Sequence, residues 1–273
     1  MAVSGLESEV EGLKARLRKI WMAGDYDRFS RHLEGSAKDF YSRLSPLPGS
    51  RLLDVACGSG QLALMAAKDG LEVTGVDIAN NLVERARDRA REEGLCARFQ
   101  EADAEALPFG DASFDIVASL IGAMFAPRPQ LVAKELLRVC RTGGIIAMAN
   151  WTPQGFVGQM FKTVSKFIAP SGMPSPVLWG DEATVHERLG SGLSTLTLER
   201  RHYRFEYPFP PSEVVEFFRL YYGPINRAFE SLDDEGGSNL RNDLERLWSS
   251  HNQFQQDQTI VLGEYLEVIG IRA

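Results

Sequence analysis

The stretch Leu53-Asp54-Val55-Ala56-Cys57-Gly58-Ser59-Gly60 (residues 53–60) decides the fold that this sequence predicts. The apolar run from Leu52 to Ala56 is typical of a buried strand, and a helical pattern starts at Gln61, directly after the glycines. Glycines between a strand and a helix allow a sharp turn and let the backbone approach a bound molecule. In α/β sheets, ligands bind in the crevice at the carboxyl ends of the strands. We therefore expect a ligand-binding loop here.

Short apolar runs alternate with helical stretches on the carboxyl-terminal side of this loop. Five runs predict strands: Leu52–Ala56, Val73–Val76, Ala97–Gln100, Phe114–Leu120 and Ile145–Ala149. Three stretches between them predict helices: Gln61–Asp69, Asn81–Glu93 and Gln130–Cys140. Such alternation is the signature of a parallel sheet with crossover helices. Two later runs, Leu198–Tyr207 and Thr259–Ile271, predict an antiparallel pair at the sheet edge, which gives a seven-stranded, Rossmann-like α/β fold.

The N-terminal region lies outside this pattern and predicts a helical cap over residues 1–48. Its apolar residues repeat at helical spacing in Glu9–Met22 and again in Asp27–Leu44, and Pro46 stops the second helix. Residues 49–273 are then expected to form the ligand-binding domain.

Two insertions are expected in that domain, at about 152–190 and 208–257, and we expect them to form a lid over a substrate. No regular period holds across Thr152–Asp181, which is rich in proline, glycine and aromatic residues, so this part predicts a mobile segment that covers a pocket. Residues Ser212–Asn252 predict helices inserted between the last two strands.

Length and composition predict a globular, cytoplasmic protein. The chain has 273 residues, of which 44% are apolar and 25% are charged, enough to bury a full core. No apolar run reaches the roughly 20 residues that span a bilayer, and no basic-then-apolar signal pattern opens the sequence. The net charge of -7 would repel nucleic-acid phosphates. Three scattered cysteines indicate no metal site, so we expect neither a nucleic acid nor a metal as partner.

The glycine loop is compatible with two cofactors. Residues 58–63, Gly-Ser-Gly-Gln-Leu-Ala, satisfy the G-x-G-x-x-A pattern of NAD-binding folds. However, acidic residues follow three successive strands: Asp54 lies in the approach to the loop, Asp77 ends the second strand, and Glu101-Ala102-Asp103-Ala104 ends the third. Carboxylates would repel a pyrophosphate but attract the sulfonium and ammonium groups of S-adenosylmethionine. The acids therefore favour S-adenosylmethionine.

Residues 51–151 resemble the class I S-adenosylmethionine-dependent methyltransferases, most closely the subgroup of the ubiquinone/menaquinone C-methyltransferases (methyltransferase type 11). The resemblance rests on five segments: residues 53–60 as the first motif, Val73–Asp77 as the ribose-binding strand, Ala102–Phe109 as the adenine segment, Phe114–Val117 as the fourth strand, and Arg141–Gly144 as the turn after the third crossover helix. Ala56 replaces the usual first glycine, a change that the subgroup tolerates.

The resemblance implies a role for individual residues. The backbone of Ala56–Gly58 would follow the methionine portion, Asp77 would accept hydrogen bonds from both ribose hydroxyls, and Asp103 would accept from the adenine amino group. Ala104 would donate its N–H to the ring, and Ser119 would face the methionine and the transferred methyl. The complete expected cofactor site is Tyr26, Asp54, Ala56, Cys57, Gly58, Gly60, Asp77, Ile78, Asp103, Ala104 and Ser119. Tyr26, from the cap, would close over the cofactor.

Methyl transfer from a sulfonium is an in-line displacement that leaves S-adenosylhomocysteine. Aligning the reacting groups and excluding water is worth about 7–11 kcal/mol, so no nucleophilic residue is required. A base is needed only where the acceptor is protonated at neutral pH, and the candidates are His32, His186, His202 and His251. Of these, His251 is the best candidate because it lies near the inserted helices.

The acceptor is expected to be a small, partly apolar molecule. Residues 119–125, directly after the fourth strand, lack the Asn/Asp-Pro-Pro-aromatic tetrapeptide typical of methyltransferases acting on nucleic-acid bases. Five aromatic residues are candidates for its pocket: Trp151, Phe156, Trp179, Tyr221 and Tyr222. Oxygen, nitrogen, carbon and sulfur all remain candidates for the methylated atom. Two alternative functions also remain, an NAD(P)-binding oxidoreductase and a catalytically silent cofactor-binding scaffold.

Overall fold

The computed structural model describes residues 2–169, 172–254 and 257–273, with side chains from residue 7 onward. Its centre is a seven-stranded sheet in the order β3-β2-β1-β4-β5-β7-β6. The strands are β1 (Arg51–Val55), β2 (Glu72–Asp77), β3 (Ala97–Glu101), β4 (Phe114–Leu120), β5 (Cys140–Trp151), β6 (Leu193–Tyr207) and β7 (Thr259–Arg272). Strands β1 to β5 pair in parallel, and β7 runs antiparallel to both β5 and the edge strand β6. The predicted α/β, Rossmann-like fold is confirmed.

Three crossover helices connect the parallel strands as predicted, and the other helices lie in the cap and the insertions. The helices are α1 (Ala2–Trp21), α2 (Tyr26–Ser30), α3 (Glu34–Leu44), α4 (Gln61–Lys68), α5 (Asn80–Glu92), α6 (Pro129–Val139), α7 (Phe156–Val164), α8 (Glu182–Leu189), α9 (Pro211–Tyr221), α10 (Gly223–Glu230) and α11 (Asp234–His251). The second predicted cap helix is interrupted, because a 3-10 turn over Arg31–Leu33 separates α2 from α3.

The predicted turn at Arg141–Gly144 is instead a bulge inside β5. The register between β4 and β5 shifts between Phe114 and Ile116, and Gly143 takes a φ of +71° that glycine adopts without strain. The carboxylate of Asp115 holds the bulge by accepting from Arg141 Nε at 2.5 Å. The strand therefore continues through the glycines.

The prediction of an irregular segment over Thr152–Asp181 is wrong for two stretches of it. Helix α7 covers Phe156–Val164, and a 3-10 turn covers Pro176–Gly180. The apolar residues of α7 recur at helical spacing and are buried, which supplies the order. Residues 170 and 171 of the first insertion, and 255 and 256 of the second, lie outside the described residues. In the described ranges, no helix is both long and apolar enough to cross a membrane.

The N-terminal helices and the inserted helices meet over the carboxyl ends of the strands. Gly24, between α1 and α2, pairs with Tyr222 in an isolated antiparallel bridge, and the Asp25 N–H donates to the carbonyl of Tyr221 at 3.2 Å. A β-carbon at Gly24 would lie 2.7 Å from that carbonyl oxygen, so only glycine fits this approach. This contact holds the two groups of helices together over the carboxyl ends of the strands, where ligand-binding residues were predicted.

Candidate active site

A first cavity of about 940 Å³, a volume that includes its open mouth, lies at the carboxyl ends of β1, β2 and β4. Most of the expected cofactor residues line it: Tyr26, Asp54, Ala56, Cys57, Gly58, Asp77, Ile78, Asp103 and Ala104. Helix α1 adds Lys14, Leu17 and Trp21, which share one helix face. The cavity wall therefore combines motif residues at the strand ends with residues of α1, which are distant from them in sequence.

The glycine loop turns through three positive φ angles, +58° at Ala56, +55° at Gly58 and +87° at Gly60. A β-carbon at Gly58 would lie 3.2 Å from Tyr26 Cε1, so the missing side chain allows the tyrosine ring to lie against the loop. Gly60 does not line the cavity: a β-carbon there would meet the Phe99 ring at 3.3 Å. Its function is therefore to let α4 pack closely on the sheet.

Asp77 is a buried carboxylate with two backbone partners. Its Oδ2 accepts from the Gly58 N–H and its Oδ1 from the Ala79 N–H, each at 2.8 Å. Burial raises the pKa of this carboxyl, and the nearby backbone N–H groups of Ala79, Gly58 and Ile78 partly offset that effect. The side chain is thus held rigidly at the cavity wall, with lone pairs left to accept from a ligand.

Asp54 both supports the loop and faces the cavity, the two roles between which the sequence did not decide. Its Oδ2 accepts from the Ala63 N–H at 3.1 Å and so braces the first turn of α4, and the residue also lines the first cavity. Burial, reinforced by the negative charge of Asp77, raises the pKa of Asp54 to about 7. A cation bound in the cavity would stabilise the ionised form of both carboxylates.

The third acid, Asp103, carries a partner that sequence analysis missed. The Nζ atom of Lys14 lies 2.5 Å from Asp103 Oδ2 and 2.8 Å from Glu105 Oε2. The Glu105 side chain is fully buried and also accepts from Arg128 Nε at 2.7 Å. Asp103 Oδ1 accepts from the Glu105 N–H at 2.9 Å. Helix α1 is therefore tied to the third acidic segment by a buried ammonium.

The structure corrects the expectation for Ser119. Its hydroxyl donates to the Val55 carbonyl at 2.8 Å and accepts from the Ala123 N–H at 2.9 Å. The residue is buried behind the wall and does not line either cavity described here. Ser119 therefore ties the ends of β1 and β4 together, and its neighbour Leu120 lines the cavity instead.

A second cavity of about 510 Å³, a volume that again includes its open mouth, adjoins the first. The two share Trp21, Tyr26, Gln61, Leu120, Ile121 and Phe125. The remaining walls are Phe29, Leu33, Trp151, Val157, Met160, Tyr203, Phe205, Phe218 and Tyr222. Ile121 has a φ of +54°, an outlier for a β-branched residue, at the wall that both cavities share.

Two of the five candidate pocket aromatics, Trp151 and Tyr222, line the second cavity, and the other three do not. Phe156 packs against the Trp248 ring with centroids 4.5 Å apart. Trp179 is buried beneath the guanidinium of Arg188, and Tyr221 lies outside the cavity beneath that of Arg28. These three rings pack against other side chains and do not line the second cavity.

His251 also lies away from both cavities. Its Nδ1 is 3.1 Å from the Leu247 carbonyl oxygen and 3.1 Å from Ser250 Oγ, and its ring packs on Phe156. None of the other described histidines lines either cavity. The best histidine candidate for a base is therefore not positioned to act on a molecule held there.

Comparison with known proteins finds relatives over most of the chain. Residues 53–148 match the family model described as a methyltransferase domain. An uncharacterized protein of Mycobacterium tuberculosis is 37% identical over 244 residues, which is 86% of each chain. The methyltransferase GfsG of Streptomyces halstedii is 39% identical over 125 residues, 45% of each chain. The solved structure of the YcgJ protein from Bacillus subtilis has a TM-score of 0.61 at 20% identity, covering 87% of this chain and 98% of its own.

Proposed function

Because the chain belongs to the class I S-adenosylmethionine-dependent methyltransferases, we propose that it transfers the cofactor's methyl group to a small-molecule acceptor held in the second cavity. The wall that the two cavities share carries this proposal. The first contains the buried acids, the second is walled by aromatic rings, and six residues belong to both. An acceptor in the second cavity would therefore face a cofactor in the first without crossing solvent.

The donor chemistry of the first cavity fits S-adenosylmethionine. Asp54 and Asp77 are buried close enough for the charge of Asp77 to raise the pKa of Asp54, an arrangement that a cationic ligand relieves. In this proposal Asp77 accepts from the ribose hydroxyls, Asp54 faces the ammonium, and Asp103 with Ala104 lies at the adenine. When bound, the cofactor supplies an electrophilic methyl on a sulfonium; the chain orients it and excludes water.

Cofactor affinity should increase as the pH rises through about 7. Burial raises the pKa of Asp54 to about 7, and the carboxyl must be ionised to pair with the ammonium, so below that pH binding requires the loss of a proton. We expect S-adenosylhomocysteine to bind up to about tenfold more weakly per pH unit on the acid side. Calorimetric titration between pH 5.5 and pH 8 measures this, and Asp54→Asn should remove the dependence.

The ligand-free protein should show the opposite trend in the contribution of Asp54 to stability. A carboxyl whose pKa is raised by folding favours the folded state most below its unfolded pKa of 3.8, and this contribution is lost as the pH rises to about 7. Chemical denaturation of the ligand-free wild type and of Asp54→Asn between pH 4 and pH 7 measures the effect on stability separately from the effect on cofactor binding. A flat binding profile in the wild type would remove Asp54 from the ammonium site.

Lys14→Met should weaken both the fold and the cofactor site. The substitution leaves Asp103 without its ammonium partner and Glu105 with Arg128 as its remaining cation. We expect the free energy of unfolding to fall by about 1–3 kcal/mol, because a buried charged interaction is lost. Because α1 forms one wall of the first cavity, we expect S-adenosylhomocysteine affinity to fall by about tenfold. Lys19→Met, at an exposed position on the same helix, is the control. Equal affinities in the two variants would contradict a role for the Lys14 bridge.

The proposed function is tested by turnover. Purified protein is incubated with S-adenosylmethionine and a panel of small amines, phenols, thiols and electron-rich rings, and release of S-adenosylhomocysteine is measured. Release that depends on one acceptor class, and that Asp77→Asn suppresses, supports methyl transfer from a cofactor held in the first cavity. Stabilisation by NAD instead of the adenosyl compounds would favour an oxidoreductase, and cofactor binding without turnover on any acceptor would favour a silent scaffold.

A further inference from the structure

The walls of the second cavity carry no formal charge. Its fifteen lining residues include no aspartate, glutamate, lysine, arginine or histidine. The walls are mainly aromatic and include the rings of Trp21, Phe29, Trp151, Tyr203, Phe205 and Phe218. An ionised acceptor would lose its hydration there without gaining a charged partner. The cavity therefore favours an acceptor that enters uncharged.

The hydroxyl groups in this cavity cannot serve as bases near neutral pH. Burial raises the pKa of Tyr26, Tyr203 and Tyr222, so all three stay protonated. The Tyr203 hydroxyl is already used, because it donates to the Leu33 carbonyl at 2.9 Å. No lining residue is thus available to remove a proton from the acceptor before methyl transfer.

Gln61 provides the carboxamide where the two cavities meet. It is the first residue of α4, directly after Gly60, so its backbone is fixed to the glycine loop of the cofactor site. Its Nε2 donates to the Ser30 carbonyl, which fixes the orientation of the amide. Among the described residues, no donor is bonded to its Oε1. That oxygen can accept a hydrogen bond from a bound molecule.

We infer that the acceptor is an uncharged, ring-bearing amine, and that Gln61 positions it by accepting a hydrogen bond from its N–H. This inference rests on the proposed function and specifies its substrate class. The nitrogen lone pair forms the new N–CH₃ bond while the S–CH₃ bond breaks and leaves its electron pair on sulfur. Positive charge passes from sulfur to nitrogen, where the surrounding aromatic rings stabilise it, and the surplus proton leaves to water after release. Nitrogen suits this cavity because a neutral phenol would need a base.

The test uses three probes of one shape, 1-aminonaphthalene, 1-naphthol and 1-naphthoate, with the full chain. Thermal unfolding is measured with saturating S-adenosylhomocysteine and then with each probe added. We expect the amine to raise the midpoint further and the carboxylate to leave it unchanged. With S-adenosylmethionine, we expect methyl transfer to the amine and little to the naphthol. With S-adenosylmethionine kept saturating at every pH, the amine rate should be independent of pH above the pKa of the amine itself, because the second cavity has no charged residue in its walls.

Gln61→Leu should lower kcat for the amine by about 100-fold, the size of a misplacement of the reacting group. Stabilisation by S-adenosylhomocysteine should fall much less, because the proposed cofactor partners Asp54, Asp77 and Asp103 are unchanged. Gln61→Glu adds a base, so 1-naphthol should become an acceptor, a gain that a merely structural role would not produce. Gln159→Leu is the matched control, because its Nε2 also donates to a backbone carbonyl, at 3.0 Å, but the residue lines neither cavity.

Different results would contradict the substrate class, the nitrogen assignment, the role of Gln61 or the proposed function. Equal stabilisation by naphthoate, or none by any probe while S-adenosylhomocysteine still stabilises, overturns the substrate class and leaves the proposed function standing. A bound amine that is not methylated, or naphthol methylated in its place, overturns the nitrogen assignment. An unchanged kcat in Gln61→Leu removes Gln61 from the site. No stabilisation by S-adenosylhomocysteine contradicts the proposed function itself.

Discussion

Asp77→Asn should lower the affinity for S-adenosylhomocysteine by about 100-fold or more. Two hydrogen bonds from ribose hydroxyls to a carboxylate contribute about 1.5–3 kcal/mol each, so losing the charge of the acceptor costs about 3 kcal/mol or more. The amide adds a second penalty. Asp77 accepts from the Gly58 N–H and the Ala79 N–H through its two oxygens, and the NH₂ of asparagine would face one of these donors.

The measurement is calorimetric titration of S-adenosylhomocysteine into the variant, with thermal unfolding of the ligand-free protein as a check on folding. Asp88→Asn is the matched control, because Asp88 pairs with Arg91 on the surface of α5 and lies outside both cavities. Wild-type affinity in Asp77→Asn would exclude Asp77 as the ribose acceptor and would require a different orientation for the cofactor.

Gly122→Ala should close the first cavity at the glycine loop, where we propose that the methionine portion of the cofactor binds. A β-carbon at Gly122 would lie 2.6 Å from the Ala56 carbonyl oxygen and 2.7 Å from the Ala56 β-carbon. Ala56 already holds a φ of +58°, so the loop has little freedom to move aside. We expect about 1–3 kcal/mol of lost stability, the usual cost of overpacking, and loss of cofactor affinity by more than tenfold.

Gly35→Ala is the control for this substitution. Gly35 lies in α3, and apart from its chain neighbours and the nearby backbone of its own helix, no described atom lies within 4 Å of the position that its β-carbon would take. Alanine should stabilise that helix by up to about 1 kcal/mol. Both variants are compared by denaturant unfolding and by titration with S-adenosylhomocysteine. A Gly122→Ala protein that binds as tightly as Gly35→Ala would show that the loop yields, and that Gly122 does not shape the site.

The part of the site that sequence analysis could predict is the part that a local motif encodes. The strand–loop–helix around residues 53–60 combines glycines, which permit positive φ, with acids at consecutive strand ends, and parallel pairing necessarily brings those ends together. Asp77 and Asp103 therefore lie at the cavity wall as expected. Ser119 was expected to face the cofactor, but its hydroxyl joins β1 and β4, and the next residue, Leu120, lines the cavity instead.

Residues whose role depends on long-range packing could not be identified in this way. Lys14 meets Asp103 because α1 folds across the sheet, although its helical spacing with Leu17 and Trp21 was a usable signal. Only two of the five predicted aromatic residues line the second cavity, because the presence of an aromatic residue does not show to which side of its helix or strand the ring points. On β6 the strict alternation of Tyr203 and Phe205 was the better signal, and both line the second cavity.

The most direct test of the central claim is equilibrium binding of S-adenosylhomocysteine and of NAD to the wild-type chain by calorimetry at pH 8. The carboxylates Asp54, Asp77 and Asp103 should bind S-adenosylhomocysteine at one molecule per chain and should repel the pyrophosphate of NAD. One-to-one binding of the adenosyl compound, lost in Asp77→Asn, is the predicted result. Binding of NAD alone, or binding of S-adenosylhomocysteine that Asp77→Asn leaves unchanged, would contradict the assignment of the first cavity as the methyl-donor site.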